Sequence, residues 1–318
     1  MAARRWRAPG KAHGVALVAV LWTIALLAIL AAAFLQTMRT EVRMAHNLLA
    51  AAQARLLAEA GITLAVLELH RPDPSRRPRT DGSVYHPTID PAGADGRLRF
   101  SVLDEAARID LNKAPPELLA GLLAALEVEP ALRTSLTDSI LDWRDADDLR
   151  RLRGAENADY LAAGTGHGAK NGPFDTVEEL LLLPGMTHEL FRRLAPCVTV
   201  HSGQPGIDPA LAPPPVVRAL PGLSAEQAAD YLAVRSALRE DGRPAPSPAV
   251  DRRYLGAARG LVYTIRARAT GARGGTAAIE ATLRLQRGHT AEPFAILRWQ
   301  ETGGTSPTPC TAAAAEDG

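Results

Sequence analysis

The sequence predicts an α+β fold: a long N-terminal helix, transmembrane in its first half, packs on a small antiparallel sheet, and a large all-α domain is inserted into that sheet. Three observations predict it. About 21 residues from Val15 to Leu35 carry no charge, the length of a bilayer-crossing helix. The chain then continues to about His70 without a proline, in residues that favour helix. Segments with strand-like alternation lie before residue 105 and after residue 250, and the stretch between them reads as helical.

Arg4, Arg5, Arg7 and Lys11 precede the apolar run, and mixed charges (Arg39, Glu41, Arg43) follow it. That asymmetry places the N-terminus in the cytoplasm and the bulk of the chain across the membrane. A secretory signal peptide has a shorter apolar core followed by a small-residue cleavage box, and neither is present. Hydropathy leaves a plain signal anchor or a leader cut before the helix, between Gly14 and Val15. A continuous helix from Val15 to about His70 would be roughly 80 Å long. Its second half is amphipathic, with Leu48, Leu49, Leu56, Leu57 and Val66 expected to face a soluble domain.

Residues 71–96, rich in Pro, Arg, Asp and Gly, read as a loop, and Arg97 to Leu103 as a strand. Asn112 is a candidate cap for a helix over 117–126, with Pro115 and Pro116 at its tolerant first turn. Ala-Pro-Pro recurs at residues 212–214, and Leu-Pro-Gly turns at 183–185 and 220–222 join helical runs at 177–183, 188–194, 215–219 and 225–238. These are related helix–hairpin–helix or SAM-like units. Three alternating stretches follow, at 260–270, 276–286 and 293–300. The expected divisions are 1–14 leader, 15–70 spine helix, 71–111 first strands, 112–205 helical domain, 206–250 second helical subdomain and 251–300 closing strands. Residues 301–318 show no apolar pattern and are expected to be disordered.

Composition narrows the function. Net charge is +1 over 318 residues, so no global field draws the chain to nucleic acid. The hairpins Pro184-Gly185-Met186-Thr187 and Pro221-Gly222-Leu223-Ser224 lack the second glycine of DNA-binding helix–hairpin–helix turns and lie in acidic surroundings. His70, His86, His167, His188 and His201 show no metal spacing, Ser139 and Ser224 have no evident partners, and no phosphate loop is formed, so no enzyme and no small-molecule substrate are expected. Trp143 reads as core. Cys197 and Cys310 are free to pair outside the cytoplasm, and the sequence leaves that pairing open.

Carboxylates cluster at Asp142, Asp145, Asp147, Asp148, Glu156, Asp159 and Asp175. Six to eight hard oxygens suit calcium. Asp145, Asp147 and Asp148 can converge at a helix end, with Glu156 supplied by the next loop and Asp175 by the following segment; Asp142 completes the expected ligand set. The spacing is not an EF-hand. The competing reading is a solvated acidic loop paired with Arg144, Arg150, Arg151 and Arg153.

Taken jointly, several motifs resemble the general secretion pathway protein K family, the minor pseudopilin K of type II secretion systems. They are Gly14-Val15, Ile109-Asp110-Leu111-Asn112, Ile140-Leu141-Asp142-Trp143-Arg144-Asp145-Ala146-Asp147-Asp148, Gly154-Ala155-Glu156, Lys170-Asn171-Gly172-Pro173-Phe174-Asp175 and Leu183-Pro184-Gly185-Met186. The resemblance implies a pilin-like fold and a non-enzymatic subunit at the tip of a periplasmic pseudopilus, in complex with minor pseudopilins I and J. It implies cleavage by prepilin peptidase between Gly14 and Val15, N-methylation at Val15, a single pass through the inner membrane, and calcium in the helical domain. Ala19 stands at the fifth mature position, where pilin-like proteins usually carry glutamate, and its absence fits a subunit with nothing stacked above it. A type IV pilus tip subunit is the nearest alternative; a membrane-anchored DNA-binding protein is a more distant one.

Overall fold

The computed structural model describes residues 13–87, 97–240, 243–257, 261–286, 293–302 and 310. Helix α1 (His13–Leu69) runs unbroken for 57 residues, as the absence of proline predicts. Among the described residues its first half is exposed throughout, and it is long and apolar enough to cross a membrane. Its second half lies across a sheet of order β1-β2-β5-β6-β7, antiparallel throughout. The strands are β1 (Asp81–Tyr85), β2 (Arg97–Asp104), β5 (Val262–Thr270), β6 (Thr276–Leu285) and β7 (Phe294–Thr302). In β2 every second residue is buried, so Leu98, Phe100 and Val102 meet Ile62, Ala65 and Val66 of α1 in one core with Ile265 and Ile279.

Helix-to-sheet packing is closer than the leucine pattern implied. Leu48, Leu49 and Leu56 point outward; the buried stripe is Ala50, Ala54, Ala58, Ile62, Ala65, Val66 and Leu69, with Leu57 half-buried beside it. Two glycines show why. A Cβ on Gly61 would lie 2.8 Å from Leu98 and 2.9 Å from Ala267, and one on Gly275 would lie 2.2 Å from the Ala50 carbonyl oxygen. Leucine does not fit at that separation, so alanine occupies the contact and leucine the outer face.

The segment expected as a loop at 71–96 contains β1. This strand lies at the sheet's edge, has little apolar content and is paired on one side only, so no alternation marks it.

Between β2 and β5 the chain is mainly helical and has its own core, with Leu118, Leu122, Leu136, Ile140, Tyr160, Leu180, Leu194 and Val216 fully buried or nearly so. Its elements are a two-residue strand β3 (Ile109–Asp110), α2 (Pro116–Ala125), α3 (Pro130–Arg144), α4 (Asn157–Ala162), α5 (His188–Leu194), a second short strand β4 (Val198–Thr199) parallel to β3, α6 (Pro214–Arg218) and α7 (Ala225–Glu240). The helical run expected at 177–183 is a 3-10 helix over Val177–Leu182. Pro115, not Asn112, caps α2. The Asn112 amide instead donates to the Phe174 carbonyl (2.9 Å) and accepts from its amide (2.7 Å), joining segments 62 residues apart.

The chain's end departs from the expected disorder at three points. Glu301 and Thr302 belong to β7, and Cys310 is buried and disulfide-bonded to Cys197, with Cα atoms 5.3 Å apart. The remainder of 303–318, and leader residues 1–12, lie outside the described residues.

Candidate functional site

Helix α3 builds the acidic site. Glu129 caps it through the Leu132 amide at 3.0 Å, and its inner face carries Leu136, Ile140 and Trp143 into the core. Asp142 falls on that same face and is fully buried. The helix stops at Asp145, and residues 145–156 fold back along it. The Arg151 amide donates to Asp142 Oδ2 at 3.2 Å, the Arg153 amide to Asp138 at 3.0 Å, and Ser135 Oγ to the Arg153 carbonyl at 3.0 Å. Gly154 then approaches so closely that a Cβ would sit 1.9 Å from Asp142 Oδ2.

One guanidinium neutralises the centre. Arg151 Nη1 donates to Asp142 Oδ1 at 2.6 Å and to Asp145 Oδ2 at 2.5 Å. Asp148 Oδ1 accepts from Asn157 (2.8 Å) and Asn171 (2.9 Å), while Asp147 Oδ1 accepts from the Leu149 amide at 2.9 Å. Asp159 accepts from the Glu156 amide at 3.0 Å and pairs with Arg150 at 2.9 Å, opening α4. Glu156 faces the first turn of α4 and is only 4% exposed. Neither of its carboxylate oxygens has a hydrogen-bond partner, and neither has Asp145 Oδ1.

The electrostatics follow from crowding. Burial, then repulsion from Asp142, Asp145, Asp148 and Asp147, pushes the Glu156 carboxyl up to about 7. Burial also raises Asp142, against the opposing pull of Arg151. Below the cluster Tyr160 is fully buried against Trp143 and His167, with ring centroids 5.7 Å and 5.3 Å away. Trp143 is core, as expected, and its indole donates to Glu179 at 3.0 Å.

The structure thus gathers Asp142, Asp145, Asp147, Asp148 and Glu156 around one turn. Asp175 stands apart, mostly exposed and paired with Lys170 (2.7 Å), which also holds Glu179 at 3.0 Å. Lysine draws it into a separate ion-pair group. Among the described residues, no three acidic, histidine or cysteine side chains converge as metal ligands do; the Arg151 side chain stands between Asp142 and Asp145. The donor set nevertheless fits a hard cation, because three buried carboxylate oxygens, both of Glu156 and Oδ1 of Asp145, lack partners, and one guanidinium serves both Asp142 and Asp145. Gly154 and Asn171 entered the sequence reading only as members of the resemblance motifs, with no role at this turn, and Asn157 was missed; Asn171 adopts a left-handed backbone (φ 52°) where it meets Asp148.

The second functional element is α1. Gly14 and Val15 lie in its first turn, and Ala19 one turn on, where its carbonyl accepts from Thr23 Oγ1 at 2.8 Å. No ionisable residue occurs from Val15 to Met38.

Residues 98–203, which span β2 to β4 and hold the acidic turn, match the family Type II secretion system (T2SS), protein K. The chain is 31% identical over 207 residues to type II secretion system protein K of Klebsiella pneumoniae, covering 58% of this chain and 62% of that one. It is 29% identical over 241 residues to the Pseudomonas aeruginosa protein of the same name, covering 70% and 72%. The match therefore spans under two thirds of the Klebsiella relative. The fold superposes on a chain from the crystal structure of the GspK-GspI-GspJ complex of the enterotoxigenic Escherichia coli type 2 secretion system, with a TM-score of 0.54, 18% identity and coverage of 84% of this chain and 99% of that one. At that identity the likeness establishes the fold: a long N-terminal apolar helix on an antiparallel sheet, with helices between strands. The chain is thus similar to the type II secretion system protein K family, through the family match over residues 98–203 and through these relatives.

Proposed function

We propose that this chain is a minor pseudopilin that caps the tip of a type II secretion pseudopilus, as a non-enzymatic component of protein secretion across the outer membrane. One observation carries the reading: a charge-free, fully exposed helix is continuous with the helix that anchors the sheet, and the family's signature region hangs from that sheet as a separate helical core. A subunit so built is held in the inner membrane by α1 and displays its helical part in the periplasm. Ala19 offers no carboxylate to a neighbour stacked above it. A buried acid in a bilayer costs a few kcal/mol unless paired, so a terminal subunit gains by lacking one. The helical block, a SAM-like arrangement in this reading, is too bulky for the interior of a packed filament.

Pseudopilins I and J are the partners that this reading assigns, by analogy with the assembly in which the similar fold was crystallised. Prepilin peptidase is the assigned processing enzyme, acting between Gly14 and Val15. Calcium is the assigned cofactor, held by Asp142, Asp145, Asp148 and Glu156, with Asp147 at the rim. When bound it supplies charge neutralisation to a crowded acidic turn. Asp175 is left out of this set, since it lies exposed in a separate group with Lys170 and Glu179.

The experiment is a secretion assay. Removing the gene should trap exported enzymes in the periplasm, and restoring the full chain should release them; normal export without it would contradict the reading.

A further inference from the structure

We propose that Arg151 is a tethered counter-ion that occupies the acidic site in place of a divalent cation and competes with that cation for Asp142 and Asp145. The inference rests on the calcium reading of the same turn and adds its regulation.

Asp142 is fully buried, and a buried carboxylate cannot stand uncompensated. Among the described residues the one cation in contact with it is the Arg151 guanidinium, whose Nη1 bridges Asp142 and Asp145 at 2.6 and 2.5 Å. A single positive charge thereby serves two carboxylates.

A third carboxylate is left out. Glu156 is more than nine-tenths buried, and both its oxygens lack a partner, as does Asp145 Oδ1. Burial of polar atoms without hydrogen bonds is costly. An arginine has five N–H donors in a fixed plane, and that plane reaches two of the three inner carboxylates. Calcium takes six to eight oxygens from all directions. The turn is thus shaped for more coordination than its arginine provides.

The arginine is also placed to leave. Its loop is pinned to α3 by backbone amides, from Arg151 to Asp142 and from Arg153 to Asp138, which do not depend on the guanidinium. Its flanking leucines anchor nothing, since Leu149 is 78% exposed and Leu152 is 90% exposed. The Arg151 side chain, 39% exposed, can swing to water while the loop's backbone remains docked. Arg150, by contrast, pairs with Asp159 at 2.9 Å on the outer side and stays out of the exchange.

The test is calorimetric titration of calcium chloride into the full-length protein in detergent, for the native chain, Arg151→Gln and Arg150→Gln. Both variants remove one positive charge from the same loop, but only the first removes the competitor. Arg151→Gln should bind calcium at least about tenfold tighter, as expected for loss of a contacting charge pair, with Arg150→Gln within about threefold of the native chain. Equal or weaker binding by Arg151→Gln would overturn the inference and leave the calcium reading intact. Binding by Arg151→Gln with none by the native chain would uphold the competition but overturn calcium as the native cofactor. No binding by either would overturn both. If Arg151→Gln does not fold in chelator, Arg151→Lys replaces it: tighter binding than native upholds the inference, and equal or weaker binding overturns it.

Discussion

Gly154 lies against Asp142 so tightly that a single added methyl group would sit 1.9 Å from its carboxylate oxygen and 2.8 Å from Cγ. Asp142 cannot retreat, because it is buried on α3 and held by the Arg151 amide and guanidinium. Gly154→Ala should therefore destabilise the folded chain by about 1–3 kcal/mol, more than the gain from a stiffer unfolded chain. Thermal denaturation of the full-length protein in detergent checks this; an unchanged midpoint would show that the turn is looser than described.

The Cys197–Cys310 bond joins the end of the chain to the helical core across 113 residues. A cross-link closing so long a loop typically stabilises by about 2–4 kcal/mol. Non-reducing peptide mapping should recover the two cysteines linked, and Cys310→Ser should lower the melting midpoint to that of the reduced native chain. A variant melting at the native temperature would contradict the tie.

Glu156 makes metal-free stability depend on pH. Its folded pKa is raised to about 7 from 4.5, so the folded chain holds this proton more tightly than the unfolded chain does. Its contribution is fully present below about 4.5 and is lost as pH rises through about 7. His201 opposes it over part of this window, because burial lowers its pKa and favours the folded state at higher pH. The comparison that isolates Glu156 is the native chain against Glu156→Gln in chelator. The variant's stability advantage should grow between pH 5 and pH 8, whereas a constant difference would show that Glu156 titrates normally.

Processing supplies a covalent readout. Intact mass of protein made beside a prepilin peptidase should correspond to a chain that begins at an N-methylated Val15, within the first turn of α1. A mass retaining the first 14 residues would make α1 a plain anchor.

Much of this was legible in the sequence because periodicity and punctuation are local. The run without proline marks α1, alternation marks β2 and the strands after residue 260, and the Pro-Gly turns mark the helices between. What escaped was set by distance. Which face of α1 is buried depends on how near the sheet lies, and Gly61 and Gly275 bring it near enough to exchange leucine for alanine. Asn112 looked like a cap because nothing nearby reveals Phe174 as its partner. β1 takes its conformation from β2 and not from its own residues. In the site, composition exposed the cluster, and five of its six expected ligands share one turn. Asp175 could not be excluded by spacing, since Lys170 claims it only in three dimensions.

The central claim is that this chain completes a pseudopilus tip with two other minor pseudopilins. The most direct measurement is co-expression of the full-length chain with the I and J subunits of its own secretion system, followed by affinity capture of this chain and size-exclusion with mass determination in detergent. The account predicts one stable particle containing all three chains in equal number. A chain that elutes alone, while I and J remain folded and present, would contradict it.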